Sequence, residues 1–176
     1  MKPFGGFART SLTQPAQPQS KPMAVKIEHR IGIAAPANVI WEVMVDVRSW
    51  PEWTAIYPKA AGEVKFGGTL VLMLEVPDHP PREIKAAILD WTPDEAIHWK
   101  TRAFLMETTR YLEIEKYSDT GCVFSNGEIF AGFGTRYLSR GRLKALREAY
   151  GALGEGLKAR AEALWRERAG EPALAL

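Results

Sequence analysis

From Val25 the chain alternates, with Val25, Ile27, His29, Ile31 and Ile33 on one side and Lys26, Glu28, Arg30 and Gly32 on the other. Period two is the mark of a half-buried strand. The period then changes. In AAPANVIWEVMVDV, Ile40, Val43, Met44 and Val47 recur at i, i+3, i+4 and i+7, Trp41 and Val45 widen the stripe, and Pro36 suits a first turn. That spacing predicts a helix ending near Asp46. RSWPEW predicts a second short turn of helix, because Pro51 is tolerated only near the start of one.

The chain then reads as strands separated by turn residues. GEVKFGGTLVLMLEV predicts a short strand, a Gly67-Gly68 turn and a second strand, and DHPPR predicts a loop. Residues 83–91, with Ile84, Ala86 and Ile88 on one face, and residues 96–103 flank the turn TPDE. Residues 108–117 and 122–130 flank SDTG in a further hairpin. The Gly-rich AGFGT leads into the longest element, a helix expected over 136–168, about 33 residues and so about 50 Å. Leu146, Tyr150, Leu153, Leu157, Ala161 and Leu164 mark its apolar stripe, and Glu162 and Arg166 are spaced for an i, i+4 pair. Gly141, Gly151, Gly154 and Gly156 each cost such a helix about 1 kcal/mol, so it needs a large surface to pack on. Its first turns are open to being broken or bent.

This order predicts an α+β fold: a curved antiparallel β-sheet wrapped around a long C-terminal α-helix, with two short helices after strand 1. Where facing side chains do not fill the grip, a cavity is left between sheet and helix.

Length and composition narrow the picture. The 176 residues suffice for one domain with a full core. The net charge of +2 is too small to indicate nucleic acid by itself. Cys122 is the only cysteine, which excludes an internal disulfide and fits a cytoplasmic, reducing compartment. Apolar runs such as TLVLMLEV fall well short of the ~20 residues of a membrane span. Residues 1–22 hold four Pro, three Gln and two Gly with little periodicity, and are expected to be a disordered leader. Residues 23–169 form the domain and 170–176 a flexible tail. Met23, where strand patterning begins, is an alternative start to Met1.

The candidate chemistry is sparse. On the strand 122–130, alternation puts Cys122, Phe124, Asn126, Glu128 and Phe130 on the inner face. An inward Glu128 is costly unless paired or hydrogen-bonded. The preceding strand offers Arg110, in phase with Leu112 and Ile114 and opposite the Glu128–Phe130 region across the SDTG turn. An Arg110–Glu128 pair is therefore expected, either as a structural ion pair or as a means of recognising a ligand carboxylate or hydroxyl. Trp99 is in phase with Ile97 and Thr101 and should face inward, with His98 and Lys100 outward. With Trp41 and Trp91 it serves either as core or as an aromatic wall. His29, His79 and His98 stand singly, without the spacing of a metal site, and no phosphate-binding glycine motif occurs. No metal or cofactor is expected. Cys122 reads as a buried inert thiol. Arg136, Arg140, Arg142, Lys144 and Arg147 crowd the first third of the long helix, with only Glu148 as an adjacent acid. They form a solvated face or a contact for a membrane surface or acidic partner.

The sequence resembles the START-like helix-grip superfamily, also called the SRPBCC or polyketide cyclase/dehydrase-like group, which includes the birch-pollen-allergen fold. The resemblance rests on IAAPANVIWEVMVDVRSWPEW, AIHWKT, NGEIFAG and ALGEGLKARAEAL, in that order, and spans about residues 24–168. One departure is that Thr54-Ala55 follows Trp53, where many relatives have Asn-Pro. The resemblance implies an internal cavity, with a lining read as Trp50, Trp53, Ile84, Ala86, Ile88, Trp99, Arg110, Leu112, Phe124, Glu128, Phe130 and Tyr150. Trp53 matches the family's Trp and is expected as an inward anchor, leaving Trp50 as a gate.

Three functions follow as alternatives. The first is binding, transport or sequestration of a small hydrophobic ligand, a lipid or a polyketide-like aromatic, in the cavity. The second is an enzyme of the cyclase/dehydratase kind, using Arg110, Glu128 and Tyr137 for acid–base work. The third is a protein- or membrane-interaction module built on the basic helix, with at most peripheral membrane contact. Neither nucleic acid nor stable membrane insertion is expected, and the sequence leaves the oligomeric state open.

Overall fold

The computed structural model describes residues 24–103 and 105–170. The expected leader, and all of the expected tail but Gly170, lie outside them. The alternating segment is strand β1, Val25–Ile33. Helix α1, Ala37–Val45, follows Pro36, buries Val39, Ile40, Val43 and Met44, and ends at Asp46. A tight 3-10 turn, Val47–Ser49, leads into the four-residue helix α2, Trp50–Trp53, with Pro51 in its first turn as its missing N–H requires.

Six further strands follow among the described residues: β2 (Lys59–Ala61), β3 (Thr69–Leu74), β4 (Arg82–Thr92), β5 (Ala96–Ala103), β6 (Met106–Ser118) and β7 (Gly121–Ala131). The expected strand just before Gly67 lies earlier than the sequence suggests, at Lys59–Ala61, and residues 62–68 are a connection. Gly62 and Gly67 carry it through positive φ, 122° and 69°, which side-chain-bearing residues rarely adopt. All neighbouring pairs are antiparallel, in the order β1-β7-β6-β5-β4-β3-β2.

The long helix is split. Gly132, at φ 101°, opens a 3-10 segment, Phe133–Tyr137, and helix α3 runs from Arg140 to Ala169. Ser139 caps α3 by accepting the Arg142 N–H at 3.1 Å, so this hydroxyl fixes the start. Gly170, at φ 73°, closes its other end in the left-handed conformation. The inward stripe is Leu146, Ala149, Tyr150, Leu153, Leu157 and Ala161. Glu162, expected to pair with Arg166, instead accepts the Ala34 N–H at 2.8 Å, tying the end of β1 to the helix. Arg168 clamps Glu42 of α1 through two bonds of 3.0 and 2.6 Å.

The result is a curved antiparallel sheet gripping α3, with α1 and α2 across one end. Its core is dense. Ala86, Ile88, Trp99, Leu112, Phe124, Phe130 and Tyr150, all expected to line an open cavity, are buried against one another and their neighbours. Large side chains fill the middle of the grip, so the expected hollow there is a packed core.

Candidate functional site

Among the described residues, buried charge enters the interior at one place, at Arg110 and Glu128. Register sets Arg110 of β6 opposite Glu128 of β7 and Trp99 of β5, as alternation required. The two charged groups do not meet directly: among the described residues no ion pair within 4.0 Å joins them. Tyr150, projecting from α3, stands in the way. Its ring lies 3.7 Å from the Arg110 guanidinium, and its hydroxyl donates a short hydrogen bond to the Glu128 carboxyl. The expected pair is thus a triad with a phenol at its centre.

Arg110 is held from the sheet side. Nη1 donates to the Gly127 carbonyl at 2.8 Å and Nη2 to Asn126 Oδ1 at 3.1 Å, while Asn126 Nδ2 donates to the Tyr150 carbonyl at 3.2 Å. The Nε–H has no partner among the described residues. Arg110 is only 3% exposed and Glu128 9%, so an arginine donor stands unused inside the protein. Such a group is expensive to bury.

Electrostatics follow the geometry. Burial, then the nearby Glu128 carboxyl, hold the Tyr150 phenol well above its ordinary value, and Arg110 only partly offsets them. Burial raises Tyr57 as well, again against Arg110. Burial works against the Arg110 cation, but Tyr150, Tyr57 and Glu128 outweigh it, and its value rises. The site therefore offers a fixed cation and neutral phenols in a low-dielectric setting.

The other expected site residues sort clearly. Trp50 is 1% exposed, donates its indole N–H to the Met44 carbonyl at 3.1 Å, and packs on Trp53, Tyr57 and Trp99. It is the anchor, and Trp53 is the half-buried one, reversing the expected roles. The reason is local: the 3-10 turn before α2 rotates Trp50 into the grip, while Trp53 lies over α3 beside Gly156. Ile84 is half-buried, at the rim. Tyr137, named for acid–base work, is exposed and lies under Arg136, outside the grip. Tyr150, expected to line a cavity, is instead packed against Arg110 and Glu128. Asn126 and Tyr57 were not assigned to the site. Alternation had put Asn126 inward, whereas Tyr57 lies in a stretch with no period to read.

At the rim, Leu74, Val76, His79, Pro80, Arg82, Arg142 and Leu146 enclose a cleft of about 130 Å³. Leu146, which lines this cleft, precedes Tyr150 by one helical turn on the same buried face of α3. A larger groove of about 980 Å³ lies elsewhere, among charged residues such as Lys26, Glu28, Arg30 and Glu113. Several of its charges are already engaged, Lys26 with Glu28, Arg30 with Glu115 and Glu113 with His98.

The architecture is the START-like helix-grip fold. No protein-family model matches the sequence, and no curated protein does. Solved structures are similar. The Zhui aromatase/cyclase from Streptomyces sp. R1128 superposes with a TM-score of 0.69 at 19% identity, over 85% of this chain and 100% of that one. The di-domain aromatase/cyclase StfQ of the steffimycin biosynthetic pathway gives 0.62 at 19%, over 84% of this chain and 52% of that one, so the chain spans about half its length. A START superfamily protein from Mycobacterium smegmatis gives 0.66 at 14%, over 79% and 98%. At these identities the likeness is one of fold.

Proposed function

We propose that this chain binds a small, mostly apolar molecule that carries an oxygen acceptor. The molecule enters at the rim cleft and is oriented by Arg110. The unused Arg110 Nε–H in the buried cluster with Tyr150, Glu128 and Asn126 carries this reading: a ligand carbonyl or carboxylate completes its hydrogen bonding, and the apolar side chains around the cluster hold the rest. The cleft of about 130 Å³ is smaller than the roughly 300–1,000 Å³ of ligand pockets, so binding requires its apolar lining, Leu74, Val76 and Leu146, to move outward. The START-like fold and its occurrence in aromatase/cyclases support the class by analogy. A lipid and a polyketide-like aromatic both fit it. Native mass spectrometry with extraction identifies a retained molecule. Titration with 2-naphthoate and with naphthalene then tests orientation: the carboxylate should bind about tenfold or more tightly, and Arg110→Met should erase that preference. A chain that carries no organic molecule and takes up neither probe defeats the proposal.

A second reading, cyclase/dehydratase chemistry, is favoured by the Tyr150 hydroxyl on Glu128. That contact supplies the acid–base neighbours missing at Tyr137. Turnover of a poly-β-keto substrate that is lost in Glu128→Gln, with binding retained, would select this reading over simple binding.

A further inference from the structure

The end of the grip that carries the cleft also presents an exposed patch that neither core nor cleft uses. The turn between β5 and β6 and the 3-10 segment after β7 are fastened together. Gly134 N–H donates to the Leu105 carbonyl at 2.8 Å, and a Cβ on Gly132 would stand 2.7 Å from that same oxygen. The two turns therefore project as one unit, with Leu105 48%, Phe133 80% and Tyr137 69% exposed at its tip.

On the β5–β6 side Glu107 is held by Lys100 and Arg102, and on the α3 side the charge is almost all basic. Arg136 stacks on the Tyr137 ring, 4.8 Å from its centre. Behind it Arg140, Lys144 and Arg147 recur at i, i+4 and i+7 and form one exposed stripe on α3. Between residues 132 and 148 the only acid is Glu148, which pairs with Lys144 at 3.7 Å. We propose that this face docks on an anionic lipid bilayer, with Leu105, Phe133 and Tyr137 inserted at headgroup level and the basic stripe lying on the lipid phosphates. An acidic protein would match the charge but not the shape. Protein partners take a broad patch of about 800 Å² per side, whereas here the apolar groups are separate tips ringed by cations. Arg142 and Leu146, which line the rim cleft, lie in the same first turns of α3.

Co-sedimentation of the full chain with phosphatidylcholine vesicles, with and without phosphatidylserine, tests the proposal. The expected result is binding to phosphatidylserine-containing vesicles that weakens as salt is added. Arg136→Glu/Arg140→Glu should lower it by about tenfold or more, since each basic residue near such a surface is worth roughly fivefold. Phe133→Ser/Tyr137→Ser should lower it without changing its salt dependence. Reversing Lys158 and Arg160, on the far half of α3, should leave it unchanged. All of these side chains are largely exposed or at the surface, and circular dichroism confirms that each variant is folded. No wild-type binding to phosphatidylserine vesicles overturns the proposal. So does equal binding to phosphatidylcholine alone, or an equal loss from the Lys158/Arg160 control. Vesicle binding needs no occupant in the grip, so its failure leaves the ligand proposal standing.

Discussion

The Arg110 guanidinium lies 3.7 Å from the centre of the Tyr150 ring, and the hydroxyl of that ring donates to Glu128, the cross-strand partner of Arg110. A residue of the helix thus separates two charged residues of the sheet and engages both. This couples the position of α3 to the only charged cluster in the described interior.

Tyr150→Phe keeps the ring and its contact with Arg110 but removes the donor from Glu128. Urea denaturation should show a loss of about 1–3 kcal/mol, the usual cost of leaving a buried polar group short of a partner. Adding Glu128→Gln should cost less than the two single changes summed, because they share one interaction. Strict additivity would mean that the contact contributes nothing.

Two helical glycines should respond in opposite senses to alanine. A Cβ at Gly156 runs into the Trp53 backbone carbonyl, which cannot swing aside. One at Gly151 meets the His29 ring at 3.6 Å, an ordinary van der Waals distance. Gly151→Ala should therefore raise Tm by up to the equivalent of about 1 kcal/mol of helix propensity, whereas Gly156→Ala should lower Tm despite the same gain.

Alkaline pH should loosen the fold. Burial and then Glu128 raise Tyr150 well above its ordinary value, burial raises Tyr57, and burial with the hydrogen bond to Glu28 pushes Tyr111 up to about 12. In the unfolded chain these phenols ionise near pH ~10. Above that pH the unfolded state releases protons that the folded state retains, so stability is full below about pH 10 and falls as pH rises toward the folded values. Thermal melts across this range, with phenolate absorbance followed in parallel, should show the decline, and Tyr150→Phe should flatten it.

The two indoles of α2 should prove unequal. Trp50→Ala opens the centre of the core and should cost about 3–5 kcal/mol. Trp53, half-buried and bonded to Ser49 Oγ at 3.4 Å, should cost clearly less. Iodide quenching should reach Trp53 before Trp50; the reverse order would restore Trp50 as the mobile one.

The fold was legible because its signals are periodic. Period two in β1 and β7 and the 3.6-residue stripes of α1 and α3 place each side chain on a face, and Pro36 and Pro51 mark where the first two helices begin. From that alternation alone Arg110 and Glu128 could be set opposite each other, and the paired register places them so. Segments without period misled: β2 was expected too late, the start of α3 too early, and Tyr57 was not assigned to the site.

What the sequence determined by itself is therefore the order of elements and which residues face inward. Whether inward faces enclose a space or fill it depends on side-chain volumes meeting across the grip, and local pattern carries no such information. Tertiary packing decided that Trp50 and Phe124 close the centre, that Trp53 rests on Gly156, and that Tyr150 reaches between Arg110 and Glu128. Those contacts join residues far apart in the chain, and the distance between sheet and helix that sets them is fixed only when every layer is in place.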